Sequence, residues 1–481
     1  MCKTTIEFYS GLTTIGGTIV SVQHGNSRVL FDFGLVYSPA TNIFDGHIQQ
    51  RETAMARNYL KLGLLPKIDG VYSQETLINE NSVTSASQYD GETAVIISHM
   101  HLDHMAAMGF IDPSIPVYMT QDSLHLYNTL ETIGEGVPGK RTYQACDYNK
   151  EFAIGEIIIT PLQVDHDTFG ACAFHIRTPD GAILYTGDLR MHGAHPEQIE
   201  LFIDKAKELE FDAVIIEGTT LSSDEEVPAH LLIANRELPE DLMTEKMVSE
   251  KTGAILKETK GIGVFNSYHR NLDRIEGMLQ AGKDSGRKVV FEAGTAQIAL
   301  DLLKVRDFFI YESETIRQAV KTNQLPDWQK KLFEEIPTIS YQEINDNPSH
   351  YFVQNSYQNS LELFDLNVDG GVYLHSNGVP LGEFDPTYQN LERIMQSLHF
   401  ERVEVGSGGH AAPQNLKYIV DELNPSTLIP LHSFHPERLK PKDGIQLLPE
   451  YGKVYGFSTE GMIEQTLSED HQTGTPHHTT V

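Results

Sequence analysis

Three imidazoles and a carboxylate fall within six residues of the stretch "AVIISHMHLDHMAAMGFID", Ala94 to Asp112. An apolar run rich in β-branched residues stops there at His99, His101, Asp103 and His104. Neutral imidazoles and ionised carboxylates are the ligands a divalent ion needs, and the chain must bring several to one point. Residues two apart at a strand end project to the same face, so His99 and His101 can converge on one ion. A tight turn into a helix over "MAAMGF" can then aim Asp103 and His104 at a neighbouring ion. A chance polar loop with surface histidines is the competing explanation, and it fits so dense a grouping poorly.

Metal bound this way requires ligands from other strand ends. His166 in "LQVDHDTFG" and Asp188 in "ILYTGDLR" both follow apolar β-runs and enter glycine-containing turns. Alone, His166 reads as a loop histidine and Asp188 as a turn or cap residue; beside the first cluster, both read as ligands. His432 in "TLIPLHSFHPERL" is the fourth strand-end candidate, with His435 as its rival. Asp165 and Asp167 flank His166 as supporting groups or as solvated ones.

The chain has 481 residues, a length that points to two or three domains. No stretch reaches the roughly 20 apolar residues of a membrane span. The start lacks the apolar core and cleavage site of a secretory signal. Cys2, Cys146 and Cys172 are too scattered for a disulfide framework, so a reducing cytoplasm is the expected home. The formal charge of −31 argues against holding nucleic acid by bulk electrostatics, so a polyanion would need a local metal-bearing or basic cleft.

The early chain alternates like strands, with a hairpin around "HGNS" that ends at Asp32. Short β-rich runs, a helical "EQIELFIDKAKELEF" and the strand "DAVIIEGTT" follow, which suggests a layered α/β or αββα domain. Near Thr220 the character changes to a highly charged, mainly helical stretch. A strand–helix–strand unit and further helical and polar segments then run to about Ser397. The strand–loop–helix grammar returns at "RVEVGSGGHAAPQNLKYIVDEL". The middle therefore reads as an insertion: a core over 1–220 and 403–465, an inserted domain over 221–402, and a polar, disordered tail over 466–481. The tail's His471, His477 and His478 read as a solvated end.

"HMHLDH", "VDHD", "TGD" and a late strand-end histidine together resemble the metallo-β-lactamase superfamily, a four-layer αββα sandwich that binds two divalent ions. Asp188 and His432 stand 244 positions apart, room for a whole domain. Such an insertion resembles the β-CASP nucleases, which include bacterial ribonuclease J and the eukaryotic pre-mRNA 3′-end endonuclease. Glu217 in "VIIEGTT", His410 in "GSGGHA" and His432 after "IP" match that subgroup's motifs. The segment "VFNSYHR" resembles a ribonuclease J stretch but is one residue shorter. Too little chain follows His432 for that family's further small C-terminal domain.

The resemblance implies that His99, His101 and His166 hold one ion and that Asp103, His104 and His432 hold the other. Asp188 would bridge them, and Asp32 would support the ligand loop. Zinc is the implied metal, with manganese also compatible. Two ions roughly 3.5–4 Å apart hold a bridging hydroxide and clamp a scissile phosphate. His410 would protonate the leaving oxygen or stabilise charge, oriented by Glu217; a hydrogen-bonded turn histidine and a cap are the plain alternatives. Ser407, Gly408 and Gly409 would turn backbone N–H groups to a phosphate. Asn266, Ser267, His269 and Arg270 would bind phosphate from the inserted domain; alternatively they form a helix start, capped by Asn266 or Ser267 with His269 and Arg270 solvated.

The expected function is thus a ribonuclease acting on single-stranded RNA, exonucleolytic from the 5′ end, endonucleolytic, or both. A hydrolase of a small ester, thioester or lactam on the same fold is the alternative. A non-catalytic β-CASP scaffold is disfavoured by the full ligand set. The oligomeric state stays open, a homodimer among the options.

Overall fold

The computed structural model describes residues 4–38, 43–44, 47–223, 225–458 and 461–465. The proposed tail, with its three histidines, and Cys2 lie outside the described residues. Three sheets organise the chain.

The first sheet has eight strands. The hairpin Ile19–His24 and Ser27–Phe31 sits at its centre, flanked on one side by Thr4–Ser10 and the late strands Val454–Ser458 and Gly461–Glu464. On the other side Glu92–Ile96, Val117–Thr120 and Gln144–Cys146 run parallel to Ser27–Phe31. The second sheet orders Ile445–Gln446, Thr427–Leu431, Ala213–Glu217, Gly181–Tyr185, Cys172–Thr178, Ile157–Gln163 and Phe152–Ile154. Its first four strands are mutually parallel, the rest antiparallel.

These two sheets face each other. Phe31, Ala94 and Ile96 from one share a core with Phe174, Ile183, Tyr185, Ile215 and Ile429 from the other. The Phe31 and Tyr185 rings stack at 4.5 Å. The outer face of the first sheet packs helices Met55–Lys61 and Gln121–Thr132, and that of the second packs Glu197–Leu209 and Pro413–Leu423. This is the four-layer αββα arrangement. It explains why strands such as "AVIIE" (Ala213–Glu217) are buried at every position: both of their faces are covered.

The third sheet is seven strands, all parallel, built from residues between Gly263 and Glu404. Its chain leaves the second sheet after Ala213–Glu217 and returns to the neighbouring strand Thr427–Leu431. Helices Glu245–Glu258 and Leu272–Ser285 cover one face, whose core runs on into that of the first sheet's helices; Tyr388–Leu398 covers the other.

The local reading needs three corrections. Residues 222–223 and 225–244 are largely irregular rather than mainly helical, apart from the one-turn 3-10 helix Ala229–Leu232, since their charges follow no amphipathic period; the α-helix is Glu245–Glu258. Four strands, Phe309–Glu312, Thr338–Ser340, Tyr351–Gln354 and Val372–Ser376, thread the region expected to be helical and polar. The helix expected over "MAAMGF" is instead Leu102–Met105, so Asp103 and His104 lie on it rather than before it. Among the described residues no helix is long and apolar enough to cross a membrane. Cys146 and Cys172 are buried and unbridged.

Candidate metal centre

Because the two facing sheets end together, the loops that leave their strands converge. Glu92–Ile96 delivers His99 and His101, Ile157–Gln163 delivers His166, Gly181–Tyr185 delivers Asp188, and Thr427–Leu431 delivers His432. The Asp188 carboxylate oxygen lies 3.7 Å from His99 Nε2, 3.1 Å from His104 Nε2, 4.0 Å from His166 Nε2 and 3.7 Å from His432 Nε2. Ligand atoms fall into overlapping groups: His99, His101 and His166; His99, His104 and Asp188; Asp103, His104 and His432; and Asp188, Glu217 and His410. His104 Nε2 and His432 Nε2 stand 3.2 Å apart, and His166 Nε2 and His101 Nδ1 stand 3.1 Å apart. His435 lies outside these groups and pairs with Glu437 at 3.2 Å.

The opposite nitrogens of four rings are held from behind. His99 Nδ1 meets Ser98 Oγ at 3.0 Å, and His166 Nδ1 donates to the Gly409 carbonyl at 2.7 Å. His104 Nδ1 meets Asp32 at 2.8 Å, and His432 Nδ1 meets Thr219 Oγ1 at 2.8 Å. The Gly409 carbonyl can only accept, so it fixes the His166 tautomer and leaves its Nε2 lone pair free for a cation. Asp32 also accepts from the Ser98 amide at 2.7 Å, from Ser98 Oγ at 2.8 Å and from the Tyr185 hydroxyl. Both Asp32 and His432 have left-handed backbone, with φ of 57° and 54°. Side-chain-bearing residues pay about 1–3 kcal/mol for such a conformation, and it persists where the surroundings impose it.

The donor set fits divalent ions on an observation independent of motif. His99 Nε2, Asp188 Oδ2 and Asp167 Oδ1 are buried without a hydrogen-bond partner, a costly state for polar atoms unless a cation satisfies them. Burial, helped by neighbouring imidazoles, holds His99 well below the usual histidine range. Burial also pushes His166 down to about 3, against the pull of Asp167. His104 moves the other way, because Asp188, Asp103 and Asp32 together outweigh its burial. His99, His101 and His166 are thus held neutral beside ionised carboxylates, while His104 is favoured in its charged form.

His410 Nδ1 lies 2.8 Å from Glu217 Oε2 and 3.8 Å from Asp188 Oδ2. Burial lowers its basicity, but the Glu217 carboxylate, with Asp188 and Asp167 beyond it, raises it to about 10. Glu217 is itself fixed by the amides of Leu189 and Thr219, both at 3.2 Å.

The other residues expected at the site make these contacts within the protein. The carbonyls of Ser407, Gly408 and Gly409 accept from Arg274, from Arg190 and His192, and from His166. Gly409 is required by close approach, since a Cβ there would sit 2.5 Å from Asp167 Oδ1. Asn266 donates to the Val379 carbonyl at 2.8 Å. The helix after "VFNSYHR" begins at Leu272 and is capped by Asn271, not by Asn266 or Ser267. His269 and Arg270 are not on a solvated face. His269 pairs with Glu135 at 2.9 Å, and buried Arg270 donates to the Met100 carbonyl at 2.6 Å. Asp165 is no solvated flank either; it accepts from buried Arg190 at 3.4 Å. Sequence reasoning passed over Ser98, Thr219, Tyr185, Arg190 and Tyr268, whose ring lies 5.5 Å from that of His101. Only Arg190 carried a signal, two residues past Asp188 in "TGDLR".

Residues 68–249 match the model of the Beta-lactamase superfamily domain, a span that contains His99 to Asp188. This part of the chain is a beta-lactamase superfamily domain. The chain as a whole is similar to "Ribonuclease J" of Pyrococcus abyssi, 20% identical, with 89% of each chain covered. "Ribonuclease J" of Helicobacter pylori is 19% identical over 88% of this chain, which spans only 54% of that relative's length. A crystal structure from Enterococcus faecalis V583, described as a protein of unknown function, has 29% identity and a TM-score of 0.76. It covers 94% of this chain and 99% of its own. The likeness to ribonuclease J therefore runs through the third sheet as well as the superfamily core.

Proposed function

We propose that this chain is a metal-dependent ribonuclease of the ribonuclease J kind, hydrolysing phosphodiesters of single-stranded RNA in the cytoplasm, from the 5′ end, internally, or both. The observation that carries the reading is the single Asp188 oxygen within 4.0 Å of nitrogens from His99, His104, His166, His432 and His410. One carboxylate common to so many imidazoles suits a shared position between two ions, and an isolated mononuclear site has no use for it. The full-length similarity to ribonuclease J supplies the substrate class.

In this reading His99, His101 and His166 hold one ion, Asp103, His104 and His432 the other, and Asp188 both. Zinc or manganese bound there would supply Lewis acidity and a lowered water pKa. His410, kept protonated by Glu217, donates its proton to the 3′ oxygen that leaves phosphorus, so the downstream product keeps a 5′-phosphate. The amides of Gly408, Gly409 and His410 receive a non-bridging phosphate oxygen as charge develops.

Purified protein loaded with zinc or manganese, incubated with 5′-monophosphate and 5′-triphosphate RNA, tests the proposal, with His101→Ala as control. Mononucleotides indicate exonuclease action and discrete fragments endonuclease action; either supports it. A metal-loaded protein that cleaves neither RNA but hydrolyses a small ester, thioester or lactam would overturn it.

A further inference from the structure

Two arginines leave the same end of one helix and reach backbone carbonyls on two different loops of the pocket. Arg270 stands just before the Asn271 cap of helix Leu272–Ser285, and Arg274 stands in its first turn. Both belong to the chain of the parallel-sheet unit, yet neither is spent on that unit alone.

Arg270 donates to the carbonyl of Met100 at 2.6 Å, the peptide between His99 and His101. Its other end lies 3.7 Å from Glu135, which also receives His269 at 2.9 Å. Arg274 donates to the carbonyl of Ser407 at 3.3 Å, three residues before His410. It is braced by Glu245, by Ser376 O at 2.9 Å and by Asn377 Oδ1 at 3.0 Å. Glu245 is shared with Arg190, which reaches the next carbonyl, Gly408, at 3.3 Å. Both arginines from the helix are almost wholly buried.

Carbonyl direction dictates amide direction. In a trans peptide the N–H points opposite to the C=O, so pinning the carbonyls of Ser407, Gly408 and Gly409 turns the amides of Gly408, Gly409 and His410 the other way. Among the described residues none of those three amides makes a hydrogen bond. They are open to an anion: Arg274 of the neighbouring unit fixes the Gly408 amide through Ser407, while Arg190, His192 and His166 of the core fix those of Gly409 and His410.

We propose that Arg270 and Arg274 are positioning residues through which the parallel-sheet unit completes the pocket: Arg270 sets the His99–His101 ligand segment, and Arg274 sets the Gly408 amide, the first of the three phosphate-receiving amides. The proposal rests on the metal and phosphate reading of the pocket, not on RNA as the substrate. It separates the two arginines by what each controls. Arg270 acts on metal affinity. Arg274 acts on anion affinity and turnover, with little effect on metal.

The test uses the full chain, with zinc affinity read by chelator competition and inorganic phosphate binding by calorimetry on the zinc-loaded protein. Arg270→Ala should weaken zinc binding about tenfold or more, as loss of an outer-shell partner does, and Arg270→Lys should recover most of it by one ammonium–carbonyl bond. Phosphate affinity of the loaded Arg270 variants should match wild type. Arg274→Lys keeps a charge for Glu245 but loses the fork. It should fold, bind zinc as wild type does, weaken phosphate about tenfold, and lower kcat more than KM, as expected for donors that act on the transition state. Should the alanine variant fail to fold, the two lysine variants decide. Equal losses of zinc and phosphate affinity in both arginine variants, in step with lost stability, would overturn the proposal. So would no loss in either. A wild type that binds zinc and phosphate but cleaves no RNA removes the ribonuclease reading and leaves this one standing.

Discussion

The two halves of the pocket are built differently. His99 and His166 are backed by neutral groups, the Ser98 hydroxyl and the Gly409 carbonyl. His104 and His432 are backed by the buried Asp32 carboxylate and by Thr219, and two of the residues involved sit in left-handed backbone. A carboxylate behind an imidazole raises its basicity and fixes its orientation more firmly than a neutral acceptor does. The Asp103–His104–His432 half should therefore bind its ion more tightly and contribute more to the fold. The His99–His101–His166 half depends on a glycine loop that the third sheet's neighbours hold in place.

The largest effect is expected where the halves meet. Asp188→Asn removes the one carboxylate common to both, so metal content after gel filtration should fall below two ions per chain and activity should fall to the assay background. Retention of two ions would break the comparison at its root. Asp32→Asn comes next. It removes the carboxylate behind His104 Nδ1, leaving Asp188 and Asp103 on its other side, and urea unfolding should show a loss of roughly 3 kcal/mol, the cost of breaking a buried pair. The Asp103–His104–His432 ion should also weaken about 10–100-fold, and the other by less, since Asp32 reaches His99 only through Ser98. Gly409→Ala probes the opposite half. Its Cβ would meet Asp167 Oδ1 at 2.5 Å, so either that carboxylate or the loop holding His166 must shift. The weaker ion should loosen roughly tenfold, with the Asp32-backed ion unchanged. The smallest change is Thr219→Val, which removes one hydroxyl behind His432 and should cost about 1 kcal/mol of stability.

The ligands could be read from the sequence because their chemistry is local. His99, His101, Asp103 and His104 lie in one hexapeptide, and His166, Asp188 and His432 each close an apolar run. What holds them could not be read, because it consists of pairings between distant residues. Asp32 meets Tyr185 across the two facing sheets, and Thr219 meets His432 only because their strands are neighbours. Arg270 showed the same limit. Its charge suggested a phosphate contact, while its place against Met100 follows from how the third sheet's unit packs on the first. In the fold, long amphipathic helices such as Glu197–Leu209 were legible from period alone. The three- to five-residue strands between Phe309 and Ser376 were not, since so few positions carry no clear alternation. The misplaced helix after "HLDH" has a similar cause: four residues give too short a window for any periodic signal.

The most direct measurement is anomalous diffraction at the zinc edge from crystals of the zinc-loaded protein. The account predicts two peaks, one bounded by His99, His101 and His166, the other by Asp103, His104 and His432, with Asp188 between them. A single peak, or density centred instead on Asp188, Glu217 and His410, would contradict it.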